Sequence, residues 1–95
     1  MTEITLGDMP LAEAFVGFFK RFRLEATVLL IFEQSVQIAI VGQSHNEYVR
    51  FHEALECLKK EQDAKIIKQC GNETVGLEYE VHLGHMQVHV ILLPH

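Results

Sequence analysis

The sequence predicts an α+β fold in which two helices pack on one mostly antiparallel five-stranded sheet, in the order α-β-β-α-β-β-β. Three features predict it: two segments with helical periodicity, an early hairpin rich in β-branched residues, and a late hairpin in which polar and apolar residues alternate. A chain of 95 residues has the length of one domain, so residues 1–95 are expected to form a single α+β domain.

The first helix is expected to run from about Asp8 to Arg23. Asp8 is a favourable N-cap, and Pro10 would then lie in the first turn, where its missing N–H leaves no hydrogen bond unmade. Residues 3–6 could form a short edge strand before this helix. In that case residues 3–69 would follow the order β-α-β-β-α-β of a ferredoxin-like domain, with the late hairpin as a C-terminal extension. We favour the first order because the signal for this strand is weak and the signal for the late hairpin is strong.

Residues 25–41 are expected to form the early hairpin, with its turn at Glu33-Gln34-Ser35. The first arm contains the unbroken apolar run 28–32, which predicts a central strand that is covered on both faces. The second arm, residues 36–41, is also dense in β-branched residues, and this composition favours a strand.

A second helix is expected from Ser44 to about Gln62. Ser44 is followed three residues later by Glu47, which is the pattern of a capping box at a helix N-terminus. After the helix, a short strand at residues 64–69 and a turn at residues 70–73 lead into the late hairpin. The core stripe expected for this helix consists of Tyr48, Phe51, Leu55 and Leu58.

The late hairpin, residues 74–93, gives the strongest signal in the chain. Gly84-His85 is expected to be its turn, because glycine at the first central position suits a two-residue type II′ turn. This turn sets a register that places the apolar residues of both arms on one face and the polar residues on the other. Ile91 and Leu93 are the exceptions, since they fall on the polar face, and they indicate that another surface covers this end of the hairpin.

Glu80, His82 and His89 lie together on the polar face of the expected hairpin. Cross-strand neighbours are about 5 Å apart and diagonal neighbours about 7–8 Å apart, so these side chains could bind zinc and leave one coordination position open. The alternative is an ordinary polar face with a Glu80–His89 cross-strand pair. Metal sites usually have a more enclosed ligand set and supporting hydrogen bonds, which favours the alternative. No cofactor is therefore expected, and zinc is kept as the second hypothesis.

An apolar surplus predicts that the chain binds another protein surface. The first helix carries more apolar surface than one small sheet can cover, and large exposed apolar patches are uncommon on monomers. The expected function is a small non-enzymatic protein-interaction or regulatory module that acts as a homodimer; the alternative is a metal- or small-ligand-binding domain that uses the His/Glu face. The order of the expected elements and the chain length also resemble those of the roadblock/longin group of small dimeric modules. The residues expected at the interface are Phe15, Phe18, Phe19, Phe22, Ile91 and Leu93.

Composition argues against several other classes of protein. The net charge of −5 opposes nonspecific nucleic-acid binding, which draws its affinity from Lys and Arg on phosphates. No apolar run approaches the roughly 20 residues of a membrane helix, and no signal peptide is visible at the start of the sequence. Cys57 and Cys70 make no disulfide framework, so we expect a cytoplasmic protein with reduced thiols and with neither nucleic acid nor membrane as a partner. No catalytic motif is present, and Cys70 as a nucleophile is the least favoured hypothesis.

Overall fold

The computed structural model describes the backbone of residues 3–42 and 44–94 and the side chains of residues 12–42 and 44–94. Two helices and five strands follow one another in the predicted order, which confirms the α+β fold class. In chain order the elements are α1 (Glu3–Lys20), β1 (Ala26–Phe32), β2 (Ser35–Gly42), α2 (His45–Gln62), β3 (Lys65–Asn72), β4 (Gly76–Leu83) and β5 (Met86–Pro94).

The five strands form one sheet in the order β1-β2-β5-β4-β3. β2 and β5 are parallel neighbours, and the other three adjacent pairs are antiparallel. The early hairpin therefore lies beside the three-stranded meander, with β5 at the centre of the sheet. Helix α2 provides the connection that carries the chain from β2 to the far edge, where β3 begins.

Strand β1 lies at an edge of the sheet, so the prediction that its apolar run forms a central strand is wrong. Val28 and Ile31 pack against the core on the side that faces α1. On the other side Leu30 and Phe32 are 58% and 64% exposed. A run that is apolar on both faces looks the same in sequence whether its second face is covered by this chain or left for another surface, which explains the error.

Both helices pack on the same face of the sheet, so the domain has two layers. Phe51 of α2 joins them, because its ring stacks on that of Phe19 of α1 at a centroid distance of 6.3 Å and lies 5.8 Å from the ring of Tyr79 of β4. Burying a side chain of this size contributes roughly 1.5–3 kcal/mol. The buried apolar residues form one cluster of Ala12, Phe15, Phe19, Leu24, Val36, Ile38, Ile40, Phe51, Ala54, Leu55, Leu58, Ala64, Leu77, Val81, Val88, Val90 and Leu92.

Helix α1 begins at Glu3, so the predicted N-cap Asp8 and the predicted first-turn Pro10 lie inside it. Residues 3–6 are helical, and the expected edge strand is therefore wrong. The ferredoxin-like alternative fails with it, because it depends on this strand. Four residues are too short a stretch to distinguish the period of a strand from that of a helix.

Helix α1 ends in a Schellman motif. Arg23 has a left-handed φ of 60°, its N–H donates to the carbonyl of Lys20 at 2.9 Å, and the N–H of Leu24 donates to the carbonyl of Phe19 at 3.1 Å. Leu24 is 1% exposed, so the residue that follows the motif enters the core. The motif stops the helix three residues before the predicted end and turns the chain into β1.

Helix α2 begins at the predicted capping box. The hydroxyl of Ser44 accepts a hydrogen bond from the N–H of Asn46 at 3.2 Å and donates one to the carboxylate of Glu47 at 2.6 Å. The bond from Ser44, together with the Arg50 guanidinium 3.1 Å away, lowers the pKa of Glu47. Arg50 also donates to the carbonyl of Phe22 at 3.0 Å, and so links the start of α2 to the chain that follows α1.

Strands β4 and β5 pair in the predicted register. Leu83 faces Met86 across the turn, and Glu80 faces His89 further along. Gly84 has a φ of 62° whereas His85 is not left-handed, as a type II′ turn requires. The turn chemistry and the alternation of polar and apolar residues thus specify the same pairing.

The turn between β3 and β4 lies at residues 73–75, later than the predicted 70–73. The side-chain oxygen of Asn72 accepts hydrogen bonds from the backbone N–H groups of Thr74 and Val75, at 2.9 and 3.0 Å, and this stabilises the turn at the later position. Val75 was expected to open the late hairpin, but it lies in the turn and is 70% exposed.

Candidate functional site

The side of the sheet opposite the two helices carries no helix from the described part of the chain, and we call it the helix-free face. It consists of alternate residues of the five strands. Because the register of every strand pair is known, these residues can be placed in rows across the sheet. From β1 to β3, one central row is Leu30, Gln37, His89, Glu80 and Ile67. The row beside it is Thr27, Ala39, Ile91, Glu78 and Cys70.

Large apolar side chains occupy the β1 side of the helix-free face and the carboxyl ends of β2 and β5. Four of them are between 42% and 64% exposed, although each is on a regular strand. They fall in two groups, with Leu30 and Phe32 beside the turn between β1 and β2 and the other three toward the carboxyl ends of β2 and β5. We call these residues together the apolar patch, and it consists of Leu30, Phe32, Val41, Ile91 and Leu93.

A polar network of Gln37, Glu78, Glu80, His82 and His89 occupies the middle of the helix-free face. The side-chain nitrogen of Gln37 donates to Nδ1 of His89 at 3.2 Å, so Nε2 of His89 carries the proton that it donates to Glu78 at 3.1 Å. Nε2 of His82 donates to Glu80 at 2.7 Å. Each imidazole is therefore bonded to one carboxylate, and these four side chains are each between 33% and 42% exposed.

The structure divides the predicted zinc ligands between two pairs. Glu80 and His89 are cross-strand partners, but Glu80 bonds His82 and His89 bonds Glu78. Within residues 3–42 and 44–94, no group of three or more His, Cys, Asp or Glu side chains is arranged to hold a metal ion. The zinc hypothesis stays a prediction. Glu78 was missed from the sequence, although long side chains on diagonal positions of a hairpin can reach each other.

The residues predicted for the interface separate into two groups. Phe15 and Phe19 are 4% and 0% exposed and belong to the core of this chain, so they do not contribute to an outer surface. Phe18 and Phe22 are partly buried beside them. Ile91 and Leu93 lie on the helix-free face. The sequence prediction left out Leu30 and Phe32 because β1 was expected to be covered on both faces, and it also left out Val41 of β2.

His52 belongs to a separate aromatic cluster between α2 and β4. Its Nδ1 lies 3.0 Å from the carbonyl of Tyr48, which can only accept, so Nδ1 donates. Its Nε2 then accepts from the hydroxyl of Tyr79 at 3.0 Å, and burial raises the pKa of that hydroxyl. The cluster holds α2 on the sheet, and this structural role accounts for His52.

A cleft of about 360 Å³ lies at the start of α2, beside the turn between β3 and β4 and the end of β5. His45 donates to Glu73 across it at 3.0 Å, and their side chains are 67% and 45% exposed. An exposed side-chain contact of this kind contributes little to stability. The pair closes one side of the cleft with polar atoms that already have partners.

No protein-family model, no curated protein and no solved structure matches this chain significantly. Neither helix in the described part of the chain is long and apolar enough to span a membrane.

Proposed function

We propose that this protein is a small non-enzymatic interaction module that acts as a homodimer, in which the helix-free faces of two copies pack against each other. The apolar patch is the observation that carries the proposal. Leu30, Phe32, Val41 and Leu93 are all more than two-fifths exposed on one side of the sheet. Large apolar side chains exposed together on one face of a folded chain are typical of a protein–protein contact.

The size of the helix-free face suits such a contact. Five strands about 4.8 Å apart, each roughly eight residues long at ~3.3 Å per residue, span about 600 Å² on each copy. Two such faces would bury about 1,200 Å² in total, which is at the lower end for specific and stable interfaces. Each copy would then bury its own apolar patch against the helix-free face of the other copy.

A second copy fits this surface better than an unrelated partner does. Two sheets pack face to face when the side chains of their inner faces interdigitate, at a spacing of about 10 Å. A two-fold axis brings the same patch of both copies into one interface, so a single contact covers both apolar patches. Cys57 and Cys70 are free thiols, which supports a reducing compartment such as the cytoplasm.

Sedimentation equilibrium of the tag-free chain at micromolar concentration tests the proposal. We expect twice the chain mass of 10.9 kDa. Val41→Ser should weaken the dimer, whereas Val75→Ser, which makes the same change at an exposed position outside the patch, should leave it unchanged. A monomer at every concentration, or equal weakening by both variants, would contradict the proposal.

A further inference from the structure

We infer that dimerisation is linked to protonation of His82 and His89, so that two copies associate more tightly as the pH falls from 7.5 to 5.5. The inference rests on the proposed homodimer and concerns the same helix-free face. It comes from the position of the polar network within that face and from the charge that the network carries.

The polar network lies between apolar residues, so a surface that covers the apolar patch also covers the network. Leu30 lies across β2 from His89 in the same row, with Gln37 between them. Ile91 follows two residues after His89 on the same strand and faces Glu78. The two histidines and two glutamates are about one-third exposed in the single chain, so they still contact water that a second copy would remove.

The charge of the network changes when the imidazoles take up protons. With neutral imidazoles each His–Glu pair carries one negative charge, so each copy brings two negative charges into the interface. Covering carboxylates that lack a cation is costly, and like charges from the two copies repel. With protonated imidazoles each pair becomes a neutral ion pair. Imidazole is the side chain whose ordinary titration falls between pH 5 and 8.

Gln37 allows the network to accept the additional proton without losing a hydrogen bond. Nδ1 of neutral His89 accepts from the side-chain nitrogen of Gln37. When Nδ1 carries a proton, rotation of the amide presents the oxygen of Gln37 to it instead, because an amide has both a donor and an acceptor end. Nε2 of His89 continues to donate to Glu78.

The remaining titratable groups that face the two pairs are few. Lys65 of β3 lies across from His82, and Cys70 of β3 lies across from Glu78. On the β2 side the network meets the uncharged residues Ser35 and Gln37. We assign the change in charge to His82 and His89.

Sedimentation equilibrium of the tag-free full chain at pH 7.5, 6.5 and 5.5 tests the inference. We expect the dimer dissociation constant to fall at least about tenfold from pH 7.5 to 5.5, since each proton bound on association changes it by at most about tenfold per pH unit. Combining His82→Gln with His89→Gln should remove this dependence. His45→Gln, at the start of α2 and outside the helix-free face, should preserve it.

A second pair of substitutions removes the negative charges of the network. It tests the inference even if the double histidine variant does not fold. Glu78→Gln with Glu80→Gln removes both carboxylates, so it should dimerise more tightly than the natural chain at pH 7.5 and should not tighten on acidification. A dimer with a pH-independent dissociation constant, or one that weakens on acidification, would overturn the inference but leave the homodimer. A monomer at every pH would overturn both. Circular dichroism at each pH separates dissociation from unfolding.

Discussion

The two faces of the sheet use the same strands in opposite ways. On the covered face Val36, Val81 and Val90 are at most 1% exposed, because the two helices exclude water from them. Gln37 follows Val36 and His89 precedes Val90, and both keep contact with water on the helix-free face. The alternation fails at the ends of β2 and β5 and along β1, where both faces are apolar. The difference is that two helices cover one face, whereas no element in the described part of the chain covers the other.

The two edge strands of the sheet, β3 and β1, differ in their charged side chains. β3 carries Lys65 and Lys68, whereas β1 carries no charged side chain from Ala26 to Phe32. Charged side chains, lysine above all, discourage an edge strand from pairing with another sheet. The β3 edge, distant from the apolar patch, is therefore protected against pairing with another sheet. The β1 edge, where the patch begins, is less protected.

The comparison of faces predicts that similar substitutions have very different effects on the single chain. Phe51→Ala should lower the free energy of unfolding by about 3–5 kcal/mol, because Phe51 is fully buried and its removal leaves a cavity. Phe32→Ala should change it by less than ~0.5 kcal/mol, since surface positions are tolerant. Urea unfolding at a concentration at which the protein is monomeric measures both. Equal losses would show that the helix-free face is not open.

The turn at the end of β4 gives the next largest effect. Gly84→Val should destabilise the fold by about 1–3 kcal/mol, because valine resists the left-handed φ of 62° at this position. Apart from its two chain neighbours, no atom of the described residues lies within 4 Å of an added Cβ, so the loss would come from the backbone conformation. Its control is His85→Val, whose φ is not left-handed. A thermal melt in which the two variants are equally stable would place the strain elsewhere.

The start of α2 predicts a smaller effect that depends on pH. The Ser44 hydroxyl, followed by Arg50, lowers the pKa of Glu47 in the folded chain below its value in the unfolded chain. The stabilisation is therefore complete above the unfolded pKa and is lost as the pH falls through the folded one. Glu47→Gln should lower the melting temperature at pH 7 more than at pH 3. Glu53→Gln, on the same helix, provides the control, and an equal effect at both pH values would contradict the assignment.

Zinc should have the smallest effect of all. Glu80 and His89 are bonded to different partners, so zinc binding would have to break both hydrogen bonds. We expect calorimetric titration of the tag-free chain to give a dissociation constant weaker than about 100 μM, equivalent to under ~6 kcal/mol. Binding tighter than this, lost in His89→Ala and kept in His85→Ala, would restore the zinc hypothesis.

Local chemistry made part of the fold predictable from the sequence. Gly84 specifies the register of the late hairpin, and Ser44 with Glu47 specifies the start of α2, because each signal lies within a few residues of the structure that it determines. The position of β1 in the sheet depends on which strand pairs with β5, a contact between residues distant in the chain. The turn after Asn72 was placed too early, and residues 3–6 were left undecided, because short segments carry weak periodicity.

The candidate site was predictable to the same extent. Ile91 and Leu93 disturb a strict alternation, so the sequence alone marks them as exceptions on the polar face. Leu30 and Phe32 do not interrupt any alternation of polar and apolar residues, because their strand is apolar on both faces. Only the strand order of the sheet reveals that they are exposed. The choice of Glu78 as the partner of His89 depends on side-chain rotamers, which the pattern of residue types does not encode.

Contacts between the helix-free faces of two copies can be measured directly by nuclear magnetic resonance. In a mixture of isotope-labelled and unlabelled chains, isotope-filtered nuclear Overhauser effects report only contacts that cross the interface. We predict such effects from the methyl groups of Leu30, Val41 and Leu93, and none from Val49, which is similarly exposed on α2. Effects confined to Val49, or the complete absence of effects in a sample of dimer mass, would contradict packing through the helix-free face.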